Sequence, residues 1–144
     1  PFTLRYPVSL LVDSLGPLVA NDAYATRQVW DRFAADTYHS PRVVWGRDVN
    51  LLFLGLANRI RTATDAGRPG APELESYVGT LQNALRVTTR AVEASGLGHN
   101  ELWSYRIEGG RLRPIRYGTS SDVQLWNTTD LAVEFVLSTL PRRH

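Results

Sequence analysis

Apolar residues return at intervals of three and four along most of the chain, the spacing of a helix with one buried face. Leu74, Tyr77, Val78, Leu81, Leu85 and Val92 form one such row. It starts behind Pro72, which suits a first helical turn, and beside Glu73 and Glu75, whose charges favour the positive end of a helix dipole; Gly96 closes it. Val133, Val136, Leu137 and Leu140 form a second row inside a helix predicted within 122–140, with Pro141 behind it. A third helix is predicted from Val43 or Val44 to about Thr64. Its stretch from Leu51 to Leu56 is apolar on more than one side, which predicts burial on several. A shorter helix opens at Asn21 or Asp22, carries Tyr24, Val29, Trp30 and Phe33, and ends near Thr37; Trp30, at helical spacing from Phe33, reads as core. The apolar run from Val8 to Val19 predicts one more helix, broken near Leu15 by Gly16 and Pro17.

Between Gly96 and Ser121 the helical stripe disappears. This irregular insert, 96–121, contains WSYRIEGGRLRPIRY, which predicts a short β-hairpin turning at Glu108-Gly109-Gly110. The fold class expected is therefore mainly α with a hairpin-bearing insert. If successive helices run antiparallel, the 38–42 connection and the insert, two helices apart, come to the same end of the molecule. That end collects Tyr38, His39, Arg42, Trp45, Arg47 and Asp48 beside His99, Glu101, Trp103, Tyr105 and Asp122. The opposite end, with the Asp65–Ala71 turn, is chemically plain. Such asymmetry marks the first end as the functional one.

Composition narrows the chemistry. The 144 residues, 43% of them apolar, suffice for one domain with a real core. No run of 18 apolar residues occurs, so no membrane span is expected. The apolar segment 7–20 carries Asp13 and has no basic leader ahead of it, which argues against a signal peptide. Cysteine is absent, which removes disulfides, thiolate catalysis and cysteine-held metals. The compartment is left open, the cytoplasm being the default. All 16 basic side chains are arginine, so a Schiff-base or phosphate-loop lysine is excluded. The arginines are spread out at a net charge of only +2, without the basic stripe of a nucleic-acid binder. His39, His99 and His144 lack ligand spacing, and no nucleotide-binding glycine loop or serine-hydrolase elbow is found; neither metal nor cofactor is expected. Methionine is also absent, position 1 included, which suggests a processed chain or part of a longer one.

The remaining motifs are V-W-G at 44–46, G-L-x-x-N-E-x-W-S-Y at 96–105 and S-S-D-V-Q-L-W-N-T-T at 120–129. In this order, over roughly Asp22–Leu140, they resemble the closing hairpins of the helical-toroid glycosidases, the group that includes glucoamylases, trehalases and processing glucosidases. The resemblance implies an (α/α) toroid or helical-hairpin array and a glycoside hydrolase acting on an oligo- or polysaccharide. It implies Glu101 as general base and Trp126 as the tryptophan of the last inner helix. Trp45 and Asp48 would lie near the sugar cleft, with His99, Trp103 and Tyr105 as further substrate contacts. The pattern departs from the family at Asn100 and Leu102, which flank the glutamate. A toroid also needs about a dozen helices where four or five are predicted. The chain then reads either as a single helical domain over 1–144 or as a C-terminal fragment, partnered by the rest of the same enzyme or another subunit. An inverting hydrolase holds its two carboxylates about 6.5–9.5 Å apart, and the acid would lie outside this chain.

Two other readings stand beside this one. Glu101 can serve structurally, capping backbone amides or pairing with Arg106 or Arg116. The whole chain can be a non-catalytic helical interaction domain that meets a partner through its aromatic and arginine-rich insert.

Overall fold

The computed structural model describes residues 10–20, 25–37, 40–65, 71–118 and 129–140. In chain order its elements are β1 (Leu11–Val12), β2 (Gly16–Pro17), α1 (Arg27–Ala34), β3 (Val44–Trp45), α2 (Gly46–Asp65), α3 (Pro72–Ser95), β4 (Leu102–Glu108), β5 (Arg111–Arg116) and α4 (Thr129–Ser138). β1 and β2 form a small antiparallel hairpin, and β3, β4 and β5 a three-stranded antiparallel sheet in that order.

Three helices make the body. α2 and α3 run antiparallel: Val49 and Phe53 meet Val92 at one end, and Ile60 and Ala63 meet Val78 at the other. α4 lies along them with Val133 and Leu137 against the first cluster and Leu140 against the second, so it runs parallel to α2. Its start is tied to α2 by Asn50 Nδ2, which donates to Thr129 Oγ1 at 3.0 Å. The sheet closes the end of the helix pair where α2 begins and α3 finishes. β3 leads straight into α2, and Val44 and Trp45 pair with Trp103 and Leu102 of β4. Ser104 Oγ donates to the Arg42 carbonyl at 2.7 Å, fixing the approach to β3.

The sheet's inner face centres on Trp103, which is fully buried among Leu15, Val44, Val92 and Val133. The indole Nε1 donates to the Leu15 carbonyl at 2.8 Å, so the large side chain is buried with its polar atom satisfied. Leu15 arrives through the tight turn between β1 and β2, where Ser14 has φ 59° and Gly16 φ 120°. A Cβ on Gly16 would stand 3.1 Å from Val92 Cγ2. Glycine is required there by both backbone angle and space.

Three expectations are corrected. The Val8–Val19 helix is replaced, over its described residues, by the β1–β2 hairpin. Leu10, Leu11, Val12, Leu15 and Leu18 have helical spacing, but Asp13-Ser14 and Gly16 favour a turn, and Asp13 Oδ1 accepts the Ser14 N–H at 3.0 Å to hold it. The Leu51–Leu56 stretch is not buried all round: Leu51 and Leu52 are exposed. Trp30 is only half-buried, edge-on to Phe33 with ring centroids 6.4 Å apart, and no residue of α1 is fully buried.

The largest correction concerns architecture. The described residues form four helices and two small antiparallel sheets, far too few helices for an (α/α) toroid or a helical-hairpin array. The V-W-G segment does not open an inner toroid helix. Its Val44 and Trp45 are a strand, because β-branched and aromatic side chains there pair with β4 before the helix starts at Gly46. The glycosidase resemblance, and with it the hydrolase label, loses the enclosing helices on which it depended.

Candidate functional site

Gly96 ends α3 with φ 67°, a left-handed cap that glycine accepts without strain. Ser95 Oγ donates to the Val92 carbonyl at 2.6 Å and accepts from the Leu97 N–H at 3.1 Å. Asn100 then donates to the Leu97 carbonyl twice, from its backbone N at 2.9 Å and from Nδ2 at 3.2 Å. These turns fold the chain inward before β4. Glu101, the proposed base, is therefore buried, and its backbone carbonyl accepts the first N–H of α2, from Gly46, at 2.9 Å.

The other predicted site residues scatter. Trp103 stands in the core, and Tyr105, two residues on and on the same sheet face, packs half-buried against that core. Trp45 points from the other side of β3. It is half-buried, with the Arg47 guanidinium 5.1 Å from its ring centroid. Asp48 is exposed and paired with Arg47 at 3.3 Å. His99 is exposed. Trp126 and Asp122 lie outside the described residues, as do Tyr38 and His39. Trp45 and Trp103 are brought together as sheet neighbours, but not in one cavity. The outer end of the β4–β5 hairpin, turning at Gly109–Gly110, carries Arg106, Ile107, Arg111 and Arg113 into solvent, with Arg113 paired to Glu108 at 2.9 Å.

A cleft of about 400 Å³ opens elsewhere, between the first turns of α2, the last turns of α3 and the middle of α4. Its floor is apolar: Val49, Phe53, Val92, Val133 and Leu137. Asn50, Thr89, Glu93, His99 and Glu134 supply polar groups around it. Of the predicted site residues that are described, only His99 lines this cleft. Glu101 and Asp48 do not. Among the described residues, no group of three or more His, Cys, Asp or Glu is placed to hold a metal ion, and no helix is long and apolar enough to cross a membrane.

A second surface feature follows the seam between α2 and α4. Leu51 continues the Leu54–Asn58–Arg61 row of α2, which faces Val136 and Thr139 of α4 across a hollow of about 240 Å³. Leu131 and Phe135, one turn apart, occupy the face of α4 turned away from Val133 and Leu137. These three apolar side chains are 60, 68 and 71% exposed. Reading the helix by its Val133–Val136–Leu137–Leu140 row passes over Leu131 and Phe135. Apolar residues lying off that row are the signal that could have found them. Glu93, Glu134 and Asn50 carry no such signal, since only the packing of three helices makes them neighbours.

No protein-family description, curated protein or solved structure matches the chain.

Proposed function

We propose that the chain is a non-catalytic interaction domain that docks a protein partner on the outer α2–α4 seam. The observation that carries this reading is the exposure of Leu131 and Phe135, one turn apart on the outer face of α4, with Leu51 also exposed on α2, the helix against which α4 packs. Scattered exposed leucines need no explanation, but large apolar side chains repeated on one helix face do. Burying such side chains contributes roughly 1.5–3 kcal/mol each, and a central aromatic is the usual anchor of an interface. The aromatic side chains of the insert support the same choice from the other direction: Trp103 and Tyr105 pack in or on the core, so an interface on the insert would have only its arginine-rich outer end to use.

The test places a photo-cross-linking amino acid at Ser138, which is exposed one turn beyond Phe135, in the protein's native source. The cross-linked protein is then purified and its affinity for the chain measured. The expected result is a direct complex that Phe135→Gln weakens by about tenfold or more without lowering the melting temperature. A homodimer lost on the same substitution identifies a second copy as the partner. A complex indifferent to Phe135→Gln, or no cross-link from position 138 with a monomer at all concentrations, overturns the proposal.

A further inference from the structure

On α2, Leu51, Gly55 and Asn58 follow one another at helical spacing, and on α4 Ala132, Phe135 and Thr139 do the same. All six residues are exposed, and both rows end at the hollow between the two helices, which Asn58 and Thr139 line. Neither row holds an acid or an arginine, although 21% of the chain is charged. Arg61, which lines the hollow beyond Asn58, turns back on it, its Nη2 donating to Asn58 Oδ1 at 3.4 Å. Depletion of charge is the compositional mark of an interface core. It also bears on the partner. A face of one sign attracts its opposite and repels its own copy, whereas an uncharged face meets its own copy without repulsion.

Gly55 points the same way. Glycine inside an exposed helix is less stable than alanine, and a Cβ added at Gly55 would meet nothing within 4 Å. Among the described residues, then, no contact calls for glycine there; its absent side chain leaves a flat seat open to the outside. The knob that fits such a seat is Phe135, 71% exposed. Seat and knob stand level. α4 runs parallel to α2, Thr129 lies 79 positions beyond its bonded partner Asn50, and Thr139 lies 81 beyond Asn58 on the shared hollow. Phe135 lies 80 beyond Gly55.

We infer that the partner docked on the α2–α4 face is a second copy of this chain, an inference that rests on the docking proposed above. A two-fold axis along the hollow, parallel to both helices, lays α2 of each copy over α4 of the other and keeps their levels. Phe135 of one copy then seats on the partner's Gly55, Leu51 meets the partner's Leu131, and each contact occurs twice. Two helices about 10 Å apart, matched over about 12 residues or ~18 Å, cover roughly 1,000 Å² in total, the low end for a specific interface. The dimer is accordingly reversible, with a dissociation constant in the micromolar range.

The test is sedimentation equilibrium of the full chain from about 1 to about 300 μM, where a monomer–dimer equilibrium is expected. Phe135→Gln and Gly55→Gln should each weaken the dimer by about tenfold or more. Gly55→Gln should at the same time raise the melting temperature of the dilute monomer, because glutamine suits a helix better than glycine; a glycine needed for the fold would lower it. Gly79→Gln, at an equally open glycine of α3, should leave the dimer unchanged. The chain has no cysteine, so disulfides report introduced thiols alone. Asn58→Cys and Ser138→Cys, one turn past seat and knob, should cross-link when the two variant proteins are mixed and oxidised, and not when either is oxidised alone. A monomer at every concentration overturns the inference, while a different protein cross-linked from position 138 would still uphold the docking face. A dimer indifferent to Gly55→Gln, a mixture that does not cross-link, or a single thiol variant that cross-links with itself overturns the inference equally.

Discussion

Trp103→Phe tests most directly whether the insert's tryptophan holds the fold or serves a surface. The substitution keeps an aromatic ring in the core but removes the Nε1–H that reaches the Leu15 carbonyl at 2.8 Å. Trp103 is fully buried, as is Leu15, so no water is at hand to replace the donor. An unsatisfied buried carbonyl costs about 1–3 kcal/mol. The smaller ring leaves a void of roughly 40 Å³, worth about 1 kcal/mol at ~24 cal/mol per Å³. The sum, about 2–4 kcal/mol, is a large part of a typical stability of about 5–15 kcal/mol, yet leaves the protein folded. Urea unfolding followed by far-UV circular dichroism should show the midpoint falling with the slope unchanged, and the melting temperature should drop by roughly 6–12 °C. A loss below about 0.5 kcal/mol is what a surface substitution gives. That result would refute the placement of Trp103 as the joint between the β1–β2 turn and the sheet, and would return it to the surface.

Two further stability predictions use independent contacts. Gly16→Ala should cost about 1–3 kcal/mol, because the residue sits at φ 120° and the added methyl would be 3.1 Å from Val92 Cγ2; an unchanged urea midpoint would mean that the β1–β2 turn has another conformation. Tyr117→Phe should cost about 0.5–1.5 kcal/mol, because the half-buried hydroxyl donates to the Asp36 carbonyl at 2.9 Å behind α1. Amide exchange should then speed up in Arg27–Ala34, and equal exchange in both proteins would dismiss the bond.

The elements that could be read from the chain were those whose causes are local. The α3 helix begins at Pro72 and ends at Gly96 because proline suits a first turn and glycine takes the left-handed cap at φ 67°. The β4–β5 turn falls at Gly109–Gly110, where both residues have positive φ. Counting helix reversals brings the 38–42 connection to the end of the molecule that holds the insert, and at its described residue Arg42 the carbonyl accepts from Ser104 Oγ of the insert. Local spacing misled where turn chemistry competed with it, as at Asp13–Gly16, and where a strand of only two residues preceded a helix, as at Val44–Trp45.

Sequence alone set the chemical limits of this protein: no thiol, no lysine, an excess of arginine over the chain as a whole, and helices long enough to pack. The tertiary structure decided which side chains those limits apply to. Glu101, Trp103 and Tyr105 read as a substrate rim because they are polar and aromatic in an irregular segment, but strand pairing turns Trp103 inward and the turn before β4 buries Glu101. Glu93 and Glu134, 41 positions apart, read as ordinary helix-surface acids until α3 and α4 place them around one cleft. Burial and neighbourhood depend on how helices and strands pack across long stretches of chain, and that packing is a collective free-energy minimum no local pattern encodes.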